Sequence, residues 1–96
     1  MVKPKLLTLD QKSALCQIGH PKHLDSLVHD KNPYVRWTVA RHGNDKHRDQ
    51  LVHDETPLVR ETVARYGNES HARALLNDTN KEVKRVARNR LKQLGK

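Results

Sequence analysis

Histidine is the residue whose number in this chain most invites chemistry: seven occur, with His23, His47 and His71 spaced 24 residues apart and His29 and His53 repeating that interval. Neutral imidazole is a common ligand of transition metals. A metal centre needs its donor atoms about 2 Å from one ion, whereas residues a whole repeat apart in stacked helices stand about 8–10 Å from each other. His20 and His23 form the close pair, and no cysteine or carboxylate cluster completes a site around them, so no metal is expected. Cys16 is single, which leaves no intramolecular disulfide and no thiolate cluster for zinc or iron–sulfur, and it reads as a small buried apolar residue. Ser13, Ser26 and Ser70 stand in no nucleophile elbow, phosphate loop or metallohydrolase motif. The chain is therefore read as non-catalytic, with no cofactor and no small-molecule substrate.

Charge is the second chemical signal. The net charge of +8 is uneven: residues 1–22 carry +3, residues 23–70 carry −1 and residues 71–96 carry +6. Such a balance suggests an acidic partner. Within it, Arg36, Arg60 and Lys84 each follow an aspartate, Asp30, Asp54 and Asp78, by six residues. Opposite charges at a fixed offset suit mutual pairing, and contacts to a ligand are the other reading.

The elements that must position these residues come from a repeat. Residues 23–46 and 47–70 are one 24-residue unit written twice with fifteen positions unchanged, and 71–94 is a third, looser copy. A unit of this length cannot bury its own apolar side and gains a core by stacking. Within the unit, 21–29 is a short helical segment with Leu24, Leu27 and Val28 on one side. Asn32 can cap a second helix, Pro33 to His42, whose inward stripe is Val35, Thr38, Val39 and His42. Gly43 is expected to end it in the left-handed conformation. The second copy repeats this with Thr56-Pro57, the stripe Val59, Thr62, Val63 and Tyr66, and Gly67. In the third, Asn80 caps a longer helix, Lys81 to about Gln93, with Gly95 just past its end. Residues 8–20, with a capping-box spacing at Thr8 and Gln11, read as an N-terminal half-repeat. No apolar run approaches the roughly 20 residues of a membrane span, and a cytoplasmic location is expected.

The run Leu-Val-x-Asp-x-x-Pro-x-Val-Arg-x-x-Val-Ala at 27–40 and 51–64, present in part at 75–87, resembles the HEAT-like repeats. Its 24-residue length is most similar to their leucine-rich repeat variant branch. The resemblance implies an all-α fold, a short right-handed α-solenoid of about three repeats plus the half-repeat. It also implies 3₁₀-rich short segments at 21–29, 45–53 and 69–77, longer α-helices lining the inner layer, and a structural ladder between neighbouring repeats made by the Asp and the basic residue. Arrays of this kind are interaction scaffolds.

A helical wheel centred on Val35 places Arg36, Trp37, Ala40 and Arg41 on the outward half, with Tyr34 at its margin. The equivalents are Arg60, Glu61, Ala64 and Arg65, then Lys84, Arg85, Arg88 and Asn89. The positive charge gathers on the layer of longer helices. The expected partner-binding residues are Tyr34, Arg36, Trp37, Arg41, Arg60, Arg65, Lys84, Arg85, Arg88 and Lys92, with Trp37 either an interface anchor or covered by the N-terminal lead-in at 3–7, and the expected partner is an acidic protein surface. Nucleic acid contacted through its phosphates by the same face is the alternative.

Overall fold

The structure, a computed structural model, describes residues 21–96, with side chains described from Leu24 onward. The lead-in at 3–7, the half-repeat at 8–20, its Thr8–Gln11 cap, Cys16 and the side chains of the His20–His23 pair lie outside the described residues.

All regular structure among the described residues is helical: α1 Pro21–Leu27, α2 Pro33–His42, α3 Asp45–Leu51, α4 Pro57–Tyr66, α5 Glu69–Ala74 and α6 Lys81–Gln93. Each long helix opens on a proline or a polar cap. The Asn32 side chain accepts from the Tyr34 N–H at 2.8 Å, and that of Asn80 accepts from Glu82 and Val83 at 2.9 and 3.2 Å. Thr56 occupies the same position without a side-chain cap bond, because its hydroxyl accepts from Arg36 at 3.3 Å instead.

The short segments are α-helical, which corrects the 3₁₀ expectation. For α3 and α5 the physical reason lies at their starts. Asn44 and Asn68 form reciprocal capping boxes with His47 and His71, which pin the first turn in α geometry. Hydrogen bonds from i to i−3 mark the exits, among them those from the N–H groups of Asp30, Asp54 and Asp78 to the carbonyls of Leu27, Leu51 and Leu75.

Gly43 and Gly67 correct a second expectation. Their φ values are −77° and −78° with ψ near 180°, so both are extended and neither is left-handed. Glycine is needed there for space. A Cβ on Gly43 would lie 2.6 Å from the Val39 carbonyl oxygen and 2.9 Å from both Cβ and Nδ1 of His47, and one on Gly67 would meet Val63 and His71 in the same way. Among the described residues the left-handed glycine is Gly95, φ +76°, at the end of α6. There the Lys96 N–H donates to Leu91 O and the Gly95 N–H to Lys92 O, the paired bonds that close a helix C-terminus around a left-handed residue.

Laterally, α2 packs on α4 and α4 on α6, while each short helix lies against the long helices flanking it in sequence. Val35, Val39, Val59, Val63 and Val83 are fully buried among Leu24, Leu51 and Leu75. Neighbours on two sides widen the buried stripe of a long helix beyond the expected one. Ala40 and Ala64, expected outward, are 0 % exposed, and Arg36 is buried with them. Tyr66, expected inward, is 40 % exposed, and His42 is half-buried. Alanine suits a position where two helices approach closely, and the stripe drifts toward it. No described helix is long and apolar enough to cross a membrane.

Candidate functional site

Much of the basic charge is spent inside the fold. Arg36 donates from Nε to Asp54 at 2.7 Å and from one terminal nitrogen to the carbonyls of Asp30 and Lys31 at 2.7 and 3.1 Å. One repeat later, Arg60 donates to Asp78 at 2.8 Å and to the Asp54 carbonyl at 2.7 Å. Each aspartate also accepts from the backbone N–H two residues on, Thr56 for Asp54 and Asn80 for Asp78. The Arg36 and Asp54 side chains are 9 % and 8 % exposed, so this is a nearly dry, bidentate rung. The pairing runs from each arginine forward to the aspartate of the next repeat rather than back six residues. Burial alone would raise the Asp78 carboxyl, but the Arg60 guanidinium and the Asn80 N–H outweigh it and hold that carboxyl below the ordinary carboxylate value.

A second rung uses the histidines. The Asn44 N–H donates to Nδ1 of His47 at 3.0 Å, and the Asn68 N–H to Nδ1 of His71 at 3.0 Å. An Nδ1 that accepts cannot carry a proton, which places the hydrogen on Nε2. That Nε2–H donates back across the repeat, to Asp25 from His47 and to Asp49 from His71, at 2.6 Å each. Both ring nitrogens are thus engaged, and both rings are buried while the aspartates are exposed. The signal was present in the sequence as Asn-x-x-His at 44–47 and 68–71, the spacing of a capping box with histidine in place of glutamate. Two further arginines cap helix ends: Arg48 donates to Ala40 O and Arg41 O at 2.9 and 3.2 Å, and Arg90 to Gly67 O at 2.9 Å.

What remains is the surface. Arg41, Lys84, Arg88 and Lys92 make no ion pair with another described residue. Lys84 occupies the register of Arg36 and Arg60 without an aspartate opposite it, and Arg88 stands exposed where Ala40 and Ala64 are buried. Arg65 and Arg85 are half-exposed and pair within their own helices, with Glu61 at 2.9 Å and Glu82 at 2.6 Å. The bond from Arg85 lowers the Glu82 carboxyl, and Glu82 in turn raises the Arg85 guanidinium.

Trp37 is half-buried against the core. Its ring centroid lies 5.2 Å from that of Tyr34, tilted by 31°, and the Arg41 guanidinium carbon sits 5.9 Å from the Trp37 centroid. The three form a cation-topped aromatic corner at the α2 end of the surface. Leu58, in the Tyr34 register on α4, is 51 % exposed. Burial, with help from the neighbouring Arg41 charge, lowers the His42 imidazole. At the other end, α4 and α6 enclose a cleft of about 110 Å³ lined by Arg65, Arg85, Val86, Asn89, Arg90 and Gln93. Of the ten expected contact residues, Arg36 and Arg60 lie in the internal rungs and the other eight lie at least partly open. No protein-family model, no curated protein and no solved structure matches this chain.

Proposed function

We propose that this chain is a non-catalytic interaction module, a short right-handed α-solenoid of HEAT-like repeats that engages an acidic protein surface. The recurring Arg–Asp and His–Asp rungs support the repeat architecture, since both bridge the same positions of adjacent 24-residue units. One observation carries the binding surface. When the internally satisfied cations are set aside, Lys84, Arg88 and Lys92 on α6 pair with no other described residue, next to Arg85, with Arg65 and Arg41 extending the charge across α4 and α2. Rim charges of this kind steer an acidic partner and suppress basic ones.

The test replaces Lys84, Arg85, Arg88 and Lys92 with glutamate. The variant keeps its helical circular dichroism and its melting transition, because none of the four supports the core. It loses a partner that the native chain retains from nuclease-treated lysate and releases with rising salt. Retention of that partner by the folded variant refutes the reading.

The cation-topped pair Tyr34 and Trp37 favours a second reading, nucleic acid held by its phosphates with a base stacked on the aromatic corner. Neutralising about five phosphates of duplex DNA gives a log–log salt slope near −4.5. Absence of measurable DNA or RNA binding at about 50 mM salt removes it.

A further inference from the structure

The cleft between α4 and α6 is too small for a whole ligand. Pockets that take drug-sized molecules run to roughly 300–1,000 Å³, whereas this one is about 110 Å³ and fits a single terminal group. Its lining says which kind. Arg65 enters from α4 and Arg85 and Arg90 from two successive turns of α6, and Asn89 and Gln93 complete the polar lining. A guanidinium has five N–H donors. Arg65 and Arg85 each spend one terminal nitrogen, on Glu61 and Glu82, while Arg90 spends Nε on the Gly67 carbonyl and holds another nitrogen 3.5 Å from Gln93 Oε1. Three guanidiniums thus line one small space, each with donors beyond these bonds, and the carboxylates nearest to them are those of Glu61 and Glu82.

The geometry points to an oxyanion site in this cleft that takes the phosphomonoester of a phosphorylated side chain on a protein partner. A phosphomonoester carries close to two charges at neutral pH and three terminal oxygens in a tetrahedral array, which can receive forks from three directions. A carboxylate is planar and meets forks edge to edge in its own plane. The exposed pairs to Glu61 and Glu82 do not block the site, since surface ion pairs of this type are weak and leave most donors of each arginine unspent. They do temper it, because two carboxylates stand beside three cations. This assignment rests on the acidic-partner reading above and names the group that the partner presents.

Titration of the full ¹⁵N-labelled chain with O-phosphoserine, at constant ionic strength and slightly alkaline pH, tests it by NMR. The Nε–H signals of Arg65, Arg85 and Arg90 and the Asn89 amide shift saturably. The double variant Arg65→Gln, Arg85→Gln weakens binding at least about tenfold, as loss of charged hydrogen bonds requires. The opposite double variant, Glu61→Gln with Glu82→Gln, tightens it. Lys46→Gln, on the short-helix side, leaves it unchanged. Aspartate, as carboxylate probe, and dimethyl phosphate, as diester probe, bind at least about tenfold more weakly than O-phosphoserine.

Shifts that never saturate, or that spread evenly over surface lysines, overturn the site. Equal affinity for aspartate or for dimethyl phosphate overturns the assignment to a phosphorylated side chain. No partner is present in the titration, so loss of this site leaves the parent reading standing. Conversely, a partner still held by the four-glutamate variant removes the parent reading whatever the titration shows.

Discussion

Replacing Gly43 by alanine separates two reasons for a glycine at a helix end. By backbone conformation alone the change is benign. Gly43 has φ −77° and ψ −175°, a region open to any residue, so alanine would stabilise the fold by about 0.4–1 kcal/mol through the unfolded chain. Packing predicts the opposite sign. The new methyl group lies 2.6 Å from Val39 O and 2.9 Å from His47 Cβ and Nδ1. Neither neighbour yields easily. Val39 O already accepts the Gly43 N–H at 2.7 Å, and the His47 ring is held by the Asn44 N–H on one side and Asp25 on the other. Overpacking a tight site costs about 1–3 kcal/mol, and loss of the α3 capping box adds about 0.5–2 kcal/mol. The sum is a destabilisation of about 2–4 kcal/mol, a fall in melting temperature of at least about 8 °C for a domain of this size. Urea titration followed by far-ultraviolet circular dichroism measures it. Coupling confirms the cause: His47→Ala removes the ring, so the two substitutions together cost less than their separate effects added. A Gly43→Ala chain as stable as wild type, or more stable, refutes the steric account.

Asp54→Ala strands the buried Arg36 guanidinium and costs about 3 kcal/mol, at the low end for a broken buried pair because Arg36 keeps its carbonyl acceptors; a shift in urea midpoint below a third of that sinks the rung. Acid titration of stability reads Asp78: its carboxyl is held low in the fold, so its contribution is complete above the ordinary value of 3.8, is lost as pH falls through the folded value, and disappears from the acid limb in Asp78→Asn. His42 is held low as well, so stability falls as pH drops below 6.5, and His42→Gln flattens that limb. Since both ring nitrogens of His47 and His71 are engaged, elemental analysis of the untagged chain finds no stoichiometric transition metal, and a chelator leaves its melting temperature in place.

The helices themselves were legible in the residues. Asn32, Pro33 and the valine spacing set α2 from Pro33 to His42, and Asn80 sets the start of α6, because caps and apolar periodicity act within one or two turns. The repeat also disclosed that Arg36, Arg60 and their aspartates belong to one recurring device. Which aspartate each arginine meets was a tertiary matter: the nearer one in sequence offers only its backbone carbonyl, and the carboxylate comes from the next unit, 18 residues on. The same holds for the alanines. A wheel drawn for a helix with one buried side places Ala40 and Ala64 outward, and the second neighbour across α2, α4 and α6 turns them inward. Gly43 and Gly67 were legible as helix ends but not in their reason: the backbone stays extended, and the carbonyl four residues back with the capping histidine four residues on leaves no room for a Cβ. Short-range hydrogen bonding and periodicity write themselves into sequence because their partners are a few residues apart, whereas the cleft between Arg65, Arg85 and Arg90 depends on how two helices lie side by side.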